Sequence, residues 1–267
     1  MKAIWVSLIL AMTITGCGGD TVSKPVAQGK IADGKSFAGT CRAAVFEGSE
    51  FTRCTAVPGR QAVQTKLNGT SGSPLRSLNA LERSRTKSNA AVAFAVNAGM
   101  YDDDGRPIGY YVENAERLKK LNQKEGGGNF HLLPNGVFFG GSDKWEIRTA
   151  DDFSDTITKR PMFATQSGPM LVINGKFHPK ISDNGESVNI RNAVGVDAQG
   201  RAHFVISEVP VSFGRLARFM LDELGCDNAL YLDGTVSSLW YPAGDRQDTG
   251  YPLGPLIVVT NAAKEPV

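Results

Sequence analysis

The sequence lacks several features by which whole classes of protein are recognised. Its 267 residues hold only three His and four Cys, and the formal net charge is +2. No run of Lys or Arg exceeds two residues, which argues against binding driven by nucleic-acid phosphates. The few cysteines exclude a disulfide-packed miniprotein. A Walker phosphate loop, a Rossmann glycine fingerprint and a Gly-x-Ser-x-Gly elbow are also missing.

One apolar run stands at the start of the chain, over residues 3–14. A membrane span needs about 20 such residues, so this shorter run, preceded by Lys2, is typical of a secretory signal. It ends in Ile14-Thr15-Gly16-Cys17, which resembles a bacterial lipobox. We therefore predict a signal peptide over residues 1–16 and lipidation of Cys17. A plain secreted protein is the alternative.

The residue after Cys17 indicates where the predicted lipoprotein resides. Gly18 rather than Asp follows the cysteine, which favours the outer membrane, with the protein facing the periplasm. The small and polar residues 17–37 predict a flexible tether, and residues 38–264 the folded domain. Two or more acyl chains suffice for stable anchoring, so a membrane partner through Cys17 is expected.

The other three cysteines predict one disulfide and one free thiol. Cys41 and Cys54 flank two strand-like runs around Glu47-Gly48-Ser49, and a hairpin would bring its two ends together. In an oxidising compartment these two can pair. Cys226 follows an apolar helix and is expected to be a buried thiol. No His-containing motif accompanies it, which makes a catalytic cysteine the weaker interpretation.

Short strands and turns outnumber helical patterns along the rest of the chain. Asn174-Gly175 and residues 197–200 are hairpin signals. The clearest helix is predicted over residues 212–224, where apolar residues recur every three or four positions, with Ser212 as its N-cap. A second short helix is predicted at 77–85. Together these patterns predict a single α+β domain of mixed, mainly antiparallel sheets with a few helices.

Four segments place polar residues at the ends of apolar strands, namely residues 97–101, 166–170, 190–195 and 231–240. Strand ends converge on one rim of a sheet, and glycines there let a ligand approach the main chain. The alternative is ordinary turn chemistry, since Asp233-Gly234 between two strand-like runs is itself a type I′ hairpin signal.

These segments, in this order, resemble the phosphodiester glycosidase superfamily, in particular a bacterial lipoprotein branch. The matching stretches are Asn-Ala-Gly-Met-Tyr at 97–101, Gly-Asn-Phe to Val-Phe at 128–138, Gln-Ser-Gly-Pro-Met-Leu at 166–171, Ile-Arg-Asn-Ala-Val-Gly at 190–195, Leu-Asp-Gly to Val-Ser at 232–237, and Pro-Leu-Gly-Pro at 252–255. The wider family usually has Asp-Gly-Gly-Gly-Ser-Ser, whereas this chain has Thr235 and Val236 in place of two glycines. Side chains at these two positions leave the main chain less permissive there than glycines would.

The resemblance implies a hydrolase that releases a sugar from a sugar phosphodiester or glycosidic envelope substrate. The phosphate ester that leaves is a stable anion near neutral pH. The reaction therefore needs a clamp, which is a group that binds this anion, and a carboxylate near the sugar more than it needs a strong general acid. We assign the carboxylate to Asp233, as base or nucleophile, the clamp to Arg191, whose fork matches phosphate, and a second acid to Glu208. The residues expected to position substrate are Asn97, Tyr101, Gln166, Ser167, Gly168, Asn192, Gly234, Ser237 and Ser238.

Main-chain N–H groups near Ser167-Gly168 and Thr235–Ser237 are expected to assist the clamp. Each assignment has a structural alternative. Arg191 can bond loop carbonyls, Asp233 can cap its turn, Glu208 can form a surface salt bridge, and the amides and hydroxyls can satisfy main-chain groups. A non-catalytic envelope lipoprotein that binds glycan or scaffolds a partner is therefore the alternative function.

No cofactor is required by the sequence, and a divalent cation is left open. Asp233 and the acidic run 102–104 offer oxygens, but no set of metal ligands can be counted. The three histidines, at 131, 178 and 203, lack metal-ligand spacing.

Overall fold

Alternation of apolar and polar residues gives this chain many short strands. The computed structural model describes residues 39–86 and 89–262, so the predicted signal peptide, Cys17 and tether lie outside the described residues. By its contacts the chain divides into Met1–Gly34 and Lys35–Val267, and every described residue belongs to the second unit. Within the described residues, no helix has the length and apolar character needed to cross a membrane.

The elements follow one another with short connections. The strands are β1 (Cys41–Phe46), β2 (Ser49–Ala56), β3 (Gln61–Lys66), β4 (Val92–Asn97), β5 (Tyr111–Glu113), β6 (Glu116–Lys119), β7 (Gly136–Gly140), β8 (Trp145–Thr149), β9 (Phe163–Ser167), β10 (Met170–Ile173), β11 (Lys176–Phe177), β12 (Asn192–Asp197), β13 (Ala202–Ser207), β14 (Cys226–Tyr231), β15 (Leu239–Tyr241), β16 (Arg246–Gln247) and β17 (Leu256–Asn261). The helices are α1 (Leu78–Ser84), α2 (Ala150–Thr156) and α3 (Phe213–Arg218), with a π-helical turn at Phe219–Glu223 and 3-10 turns at Asn129–His131, Gly234–Val236 and Pro242–Gly244.

The strands form three sheets. Their orders are β1-β2-β13-β12-β14-β10-β11, β16-β15-β4-β17-β3 and β6-β5-β9-β7-β8. Every pair of these strands is antiparallel. The prediction of a mainly antiparallel α+β fold is therefore confirmed, while the domain bounds 38–264 stay a prediction.

One aromatic cluster joins the three sheets in the core. Phe204 of the seven-stranded sheet packs against Phe94 of β4 and Phe138 of β7, with ring centroids 5.3 and 5.8 Å apart. All three rings are fully buried, and each such side chain contributes roughly 1.5–3 kcal/mol by leaving water. The opposite face of the seven-stranded sheet packs under α3, where Leu216 is buried.

The predicted hairpins form, and their turns show why. Asn174 and Gly175 have φ of 48° and 71°, the left-handed conformations that a type I′ turn needs. Cys41 lies directly opposite Cys54 in the β1–β2 register, and the two form the disulfide that the sequence predicts. Cys226 is a buried free thiol, and burial holds its pKa well above the usual range.

The helices differ from prediction in detail. Ser212 caps α3 by accepting from the Arg215 N–H, as expected, but the helix widens into a π turn at Phe219 instead of running unbroken to residue 224. Helix α1 matches the predicted span within a residue at each end. Helix α2 was not predicted, although its Thr149 cap and two acidic first-turn residues are an N-terminal signal.

Candidate active site

Asn97 brings three of the motif segments together. This last residue of β4 is 1% exposed, and its Nδ2 donates to the Asp233 carbonyl over 2.8 Å. Its Oδ1 accepts from Asn192 Nδ2 at 2.9 Å and from the Ser238 N–H at 3.0 Å. One buried amide therefore fixes the end of β4, the start of β12 and the turn after β14.

The fourth segment joins through the main chain. Pro169 accepts from the Tyr231 N–H over 3.0 Å, which places the end of β9 beside β14. Ser167 Oγ and Asn192 Oδ1 are buried and have no hydrogen-bond partner among the described residues. Gly168 packs against Phe130 and Asn135 so closely that a side chain would clash.

Asp233 supplies a carboxylate at the place where these four segments meet. It is partly exposed and forms no ion pair with any described residue. Burial raises its pKa, and a hydrogen bond from the Thr235 N–H opposes that change. With φ of −92° at Asp233 and no positive φ at Gly234, the pair starts a 3-10 turn rather than a type I′ hairpin. A carboxylate with raised proton affinity and no neutralising cation suits a base or nucleophile.

Two phenols lie near Asp233. Burial raises the pKa of Tyr101 and of Tyr231, and the charge of Asp233 raises both further. The Tyr101 hydroxyl donates to the Pro252 carbonyl over 2.6 Å, and its ring packs on Gly254, where a side chain would clash. The Pro-Leu-Gly-Pro motif therefore holds Tyr101 in place near Asp233.

Arg76 is a site residue that the sequence analysis missed. Its guanidinium carbon lies 5.5 Å from the centroid of the Tyr101 ring, and its charge lowers the Tyr101 pKa after burial and Asp233 have raised it. Its Nη1 is buried and unpartnered among the described residues. No motif marks Arg76, because it lies in the loop before α1. Its φ of 62° and the bond from the Leu253 N–H to its carbonyl are visible only in the fold.

Arg191 does not occupy the position that the sequence analysis expected. It is 1% exposed, its Nε donates to the Val211 carbonyl at 2.8 Å, and its Nη2 donates to the Ser187 carbonyl at 2.9 Å. The guanidinium lies 3.6 Å from the centroid of the Phe213 ring. A phosphate clamp must meet its ligand, so this placement fits the structural alternative, in which Arg191 bonds loop carbonyls. The same guanidinium lies 5.6 Å from the centroid of the Tyr231 ring.

Glu208 also lies outside the cluster around Asn97. Its Oε1 accepts from Thr52 Oγ1 and from Arg246 Nη1, both at 2.6 Å, and Arg246 also pairs with Asp248 at 3.0 Å. This partly exposed network matches the surface salt bridge that was the alternative reading. No described contact joins Glu208 to Asp233 or Asn97.

The Gln166 amide is engaged by main-chain groups of a distant segment. Its Oε1 accepts from the Tyr110 and Asn122 N–H groups at 2.8 and 3.0 Å, and its Nε2 donates to the Asn122 carbonyl at 2.6 Å. Since this amide is 2% exposed, it shapes the loop beside the site instead of touching substrate.

The turn after Asp233 is internally bonded. Ser237 Oγ donates to the Gly234 carbonyl and Ser238 Oγ to the Val236 carbonyl, each over 2.8 Å. The Gly234 N–H donates to the Tyr231 hydroxyl at 3.1 Å. The Thr235 and Ser237 N–H groups are also engaged, so two of the main-chain donors expected to assist a clamp at 235–237 are already used within the turn.

Metal ligands do not cluster in this part of the chain. Across residues 39–86 and 89–262, no group of three or more His, Cys, Asp or Glu side chains is arranged to hold an ion. The acidic run 102–104 lies in an exposed turn, where Asp102 Oδ1 accepts from the Arg106 N–H over 2.9 Å.

Comparison with known proteins decides the family. A model of the family described as phosphodiester glycosidase matches residues 90–260. The chain belongs to the phosphodiester glycosidase family. YigE, an uncharacterized protein of Escherichia coli (strain K12), is 37% identical over 194 residues, which cover 73% of this chain and 74% of that protein.

Solved structures share the fold at low identity. The catalytic domain of zebrafish N-acetylglucosamine-1-phosphodiester alpha-N-acetylglucosaminidase, auto-inhibited by its pro-peptide, superposes with a TM-score of 0.56 at 13% identity, covering 82% of this chain and 81% of that one. A hypothetical protein from Synechocystis gives 0.53 at 13% identity, with coverage of 83% and 61%. The six motif stretches quoted above lie within the matched residues 90–260.

Proposed function

We propose that this chain is a glycosidase-type hydrolase that releases a sugar from a sugar phosphodiester. The observation that carries the proposal is the Asn97 network, which directs three motif segments onto one unpaired carboxylate, Asp233. Family membership and the zebrafish relative support the reaction class. Because that relative is named for N-acetylglucosamine 1-phosphodiesters, such a compound is the first substrate to test.

The roles of the residues follow from their placement. Asp233 faces the anomeric carbon, either as a base that takes a proton from water or as the nucleophile. The bond from the anomeric carbon to the phosphate oxygen breaks, and the phosphomonoester leaves with the bonding electrons. Its second pKa is about 6, so protonation of the leaving oxygen is dispensable, and no second carboxylate has to replace Glu208.

Arg76 takes the role that the sequence assigned to Arg191. Arg76 lies beside Tyr101 and, unlike Arg191, is only partly buried, and a guanidinium fork gives two parallel bonds to a phosphate group. Asn97, Arg191 and Gln166 act as positioning residues, since all three are buried and hydrogen-bonded to protein groups. Tyr101 supplies an aromatic wall for the sugar.

We place this enzyme in the cell envelope, lipid-anchored at Cys17 and facing the periplasm from the outer membrane, with an envelope glycan phosphodiester as substrate. The support is the sequence of residues 1–18 alone. Replacement Cys17→Ser should move the protein from the membrane to the soluble fraction. An unchanged membrane fraction would contradict the anchor.

Cleavage in 18O-labelled water tests the reaction class. The substrate is an activated aryl phosphodiester of N-acetylglucosamine 1-phosphate, incubated with and without a chelator. We expect 18O in the released sugar and none in the phosphate, since the C–O bond breaks. Label in the phosphate would instead show a phosphodiesterase. Absence of turnover across several sugar phosphodiesters would favour the non-catalytic, glycan-binding lipoprotein.

A further inference from the structure

A large cavity lies away from the candidate active site and is lined by arginines. It measures about 770 Å³. We call it the arginine cavity, after Arg42, Arg53, Arg60 and Arg201 on its wall. Glu223 is the one carboxylate among the described residues that line it. Four positive charges against one negative charge leave the lining at +3 with His203 neutral.

Two of these arginines are placed against each other by the strand register. Arg42 of β1 lies directly opposite Arg53 of β2, and like charges in that arrangement destabilise a sheet. Burial removes Arg53 Nε from water, and it has no hydrogen-bond partner among the described residues. An unsatisfied buried donor costs about 1–3 kcal/mol. An anion between the two guanidinium groups would remove both costs.

Three of the four cavity arginines have no carboxylate in ion-pair range among the described residues, whereas Arg201 and other nearby arginines are paired. Arg218 forms an ion pair with Glu47 at 2.7 Å, Arg215 pairs with the same carboxylate at 3.3 Å, and Arg201 pairs with Asp197 at 2.6 Å. Within residues 39–86 and 89–262, no carboxylate lies in ion-pair range of Arg42, Arg53 or Arg60, the other three arginines of the cavity.

Buried polar groups form the wall beside the arginines. His203 is 3% exposed, with Nε2 2.9 Å from Asp197 Oδ2 and Nδ1 3.1 Å from Thr55 Oγ1. Burial lowers the pKa of His203 and Asp197 opposes the change, while Arg201 and Arg42 lower it further. The guanidinium groups of Arg201 and Arg42 therefore lie near the His203 ring, on the face of the sheet that also carries Arg53.

The arginine cavity is separate from the Asp233 site. Val92 and Ala93, which line it, begin β4, and Asn97 ends that strand. At about 3.3 Å per residue, Val92 and Asn97 are roughly 17 Å apart. Arg42, Arg53 and Arg60 also precede residue 90, where the family match begins. The three unpaired arginines of the cavity thus lie outside the matched family region, while Arg201 and His203 lie within it.

We propose that the arginine cavity binds a phosphoester group. Guanidinium forks match phosphate oxygens in pairs, and three unneutralised arginines fit a phosphate dianion better than a single carboxylate. The volume is that of a pocket for a small organic molecule, so the phosphate is carried by a group the size of glycerol or a sugar. A soluble phosphoester and the headgroup of an anionic phospholipid share this chemistry.

Calorimetric titration of the full chain with glycerol 3-phosphate tests the site. We expect saturable binding that weakens as NaCl is raised, no binding of glycerol, and at least a tenfold loss of affinity in Arg42→Gln/Arg53→Gln. Arg53→Lys keeps the positive charge but lacks the guanidinium fork, so its affinity should lie between those of wild type and the double variant. Arg117→Gln, on the exposed strand β6, is the charge-matched control and should bind like wild type.

Folding of the variants is checked by thermal unfolding. The double variant should be as stable as wild type or more so, because it removes opposed charges, and glycerol 3-phosphate should raise the midpoint of wild type alone. Failure of wild type to bind, or equal binding by the double variant, would overturn the proposal.

Vesicles distinguish the two sources of the phosphate. Wild type is compared on phosphatidylglycerol and phosphatidylcholine vesicles, so that any acyl anchor contributes equally to both. A preference for phosphatidylglycerol that the double variant loses assigns a lipid headgroup. No preference, together with binding of glycerol 3-phosphate, assigns a soluble phosphoester. A preference that the double variant keeps, without binding of glycerol 3-phosphate, would overturn the site.

Discussion

The Asp233 site and the arginine cavity solve the problem of buried charge in opposite ways. At the first, Asn97 bonds three segments together around one carboxylate, and Asp233 itself has no cation in ion-pair range among the described residues. At the second, three arginines have no carboxylate in ion-pair range in the part of the chain that the structure describes, and two of them face each other across a hairpin. An unpaired charge therefore indicates a functional site in two settings. In one, the polar groups around the charge are hydrogen-bonded to one another. In the other, the pairing of two strands holds like charges side by side.

Loss of the Asn97 amide should have the largest effect on the Asp233 site. Asn97→Ala removes three hydrogen bonds and leaves the Asn192 and Ser238 donors buried without an acceptor. The expected loss is about 3 kcal/mol in the free energy of unfolding, together with loss of turnover, and the arginine cavity should still bind phosphoester. Denaturant unfolding measures the change in the free energy of unfolding. Asn79→Ala, on the helix α1, is the control and should change stability by less than ~0.5 kcal/mol.

Loss of the Cys41–Cys54 disulfide should weaken the arginine cavity and leave the Asp233 site unchanged. Cys41 and Cys54 precede and follow Arg42 and Arg53 in sequence, so the bond holds the opposed arginines together. Cys41→Ser/Cys54→Ser should cost about 3 kcal/mol and weaken binding of glycerol 3-phosphate, while turnover in the folded protein stays unchanged. A reducing agent should lower the unfolding midpoint of wild type but not of this variant. Equal loss of turnover and binding would contradict the separation of the two regions.

The sequence predicted some of this architecture because the signals were local. Asn174-Gly175, the Ser212 cap and the Cys41–Cys54 hairpin each depend on neighbouring residues. The motif segments were also grouped correctly, since antiparallel strand ends meet at rims. Arg191 and Glu208 were assigned by residue type, and type does not reveal that a guanidinium is covered by Phe213 or that Arg246 comes back to meet Glu208.

Arg76 and the arginine cavity were beyond the sequence for a different reason. Arg76 reaches Tyr101 only because the loop before α1 folds over the site. Arg42 and Arg201 are 159 positions apart in the chain, and only the neighbouring places of β1, β2 and β13 in one sheet bring them to one cavity.

Substitution of Arg76 sharpens the assignment of the phosphate clamp. Arg76→Gln should lower kcat/KM by roughly 10- to 100-fold, which corresponds to about 1.4–2.8 kcal/mol, since a charge-assisted bond is lost. Arg76→Lys should recover part of it. Arg83→Gln, exposed on α1, should have no effect. Steady-state kinetics with a phosphodiester and with an uncharged aryl glycoside separate the roles, because only the phosphodiester should lose the contact.

The pH dependence of stability should differ between wild type and Asp233→Asn in a defined direction. This effect is expected to be smaller than those of the substitutions above. The pKa of Asp233 is raised from 3.8 in the folded state, so the unfolded chain releases this proton first. Its contribution to stability is therefore fully present below 3.8 and is lost as the pH rises through the raised pKa. Turnover should rise through the same pKa, because the reaction needs the ionised form. Asp233→Asn should lack this fall in stability, and an identical pH profile in the two proteins would contradict it.

The central claim is that Asp233 is kept as an unpaired carboxylate for chemistry and not for stability. The direct test measures turnover and unfolding midpoint together for wild type, Asp233→Asn and Asp227→Asn, the last an exposed residue on β14. We predict that Asp233→Asn loses turnover by at least about 10²-fold while its midpoint stays equal to wild type or rises, and that Asp227→Asn changes neither. Undiminished turnover in Asp233→Asn, or a midpoint that falls along with it, would contradict the account.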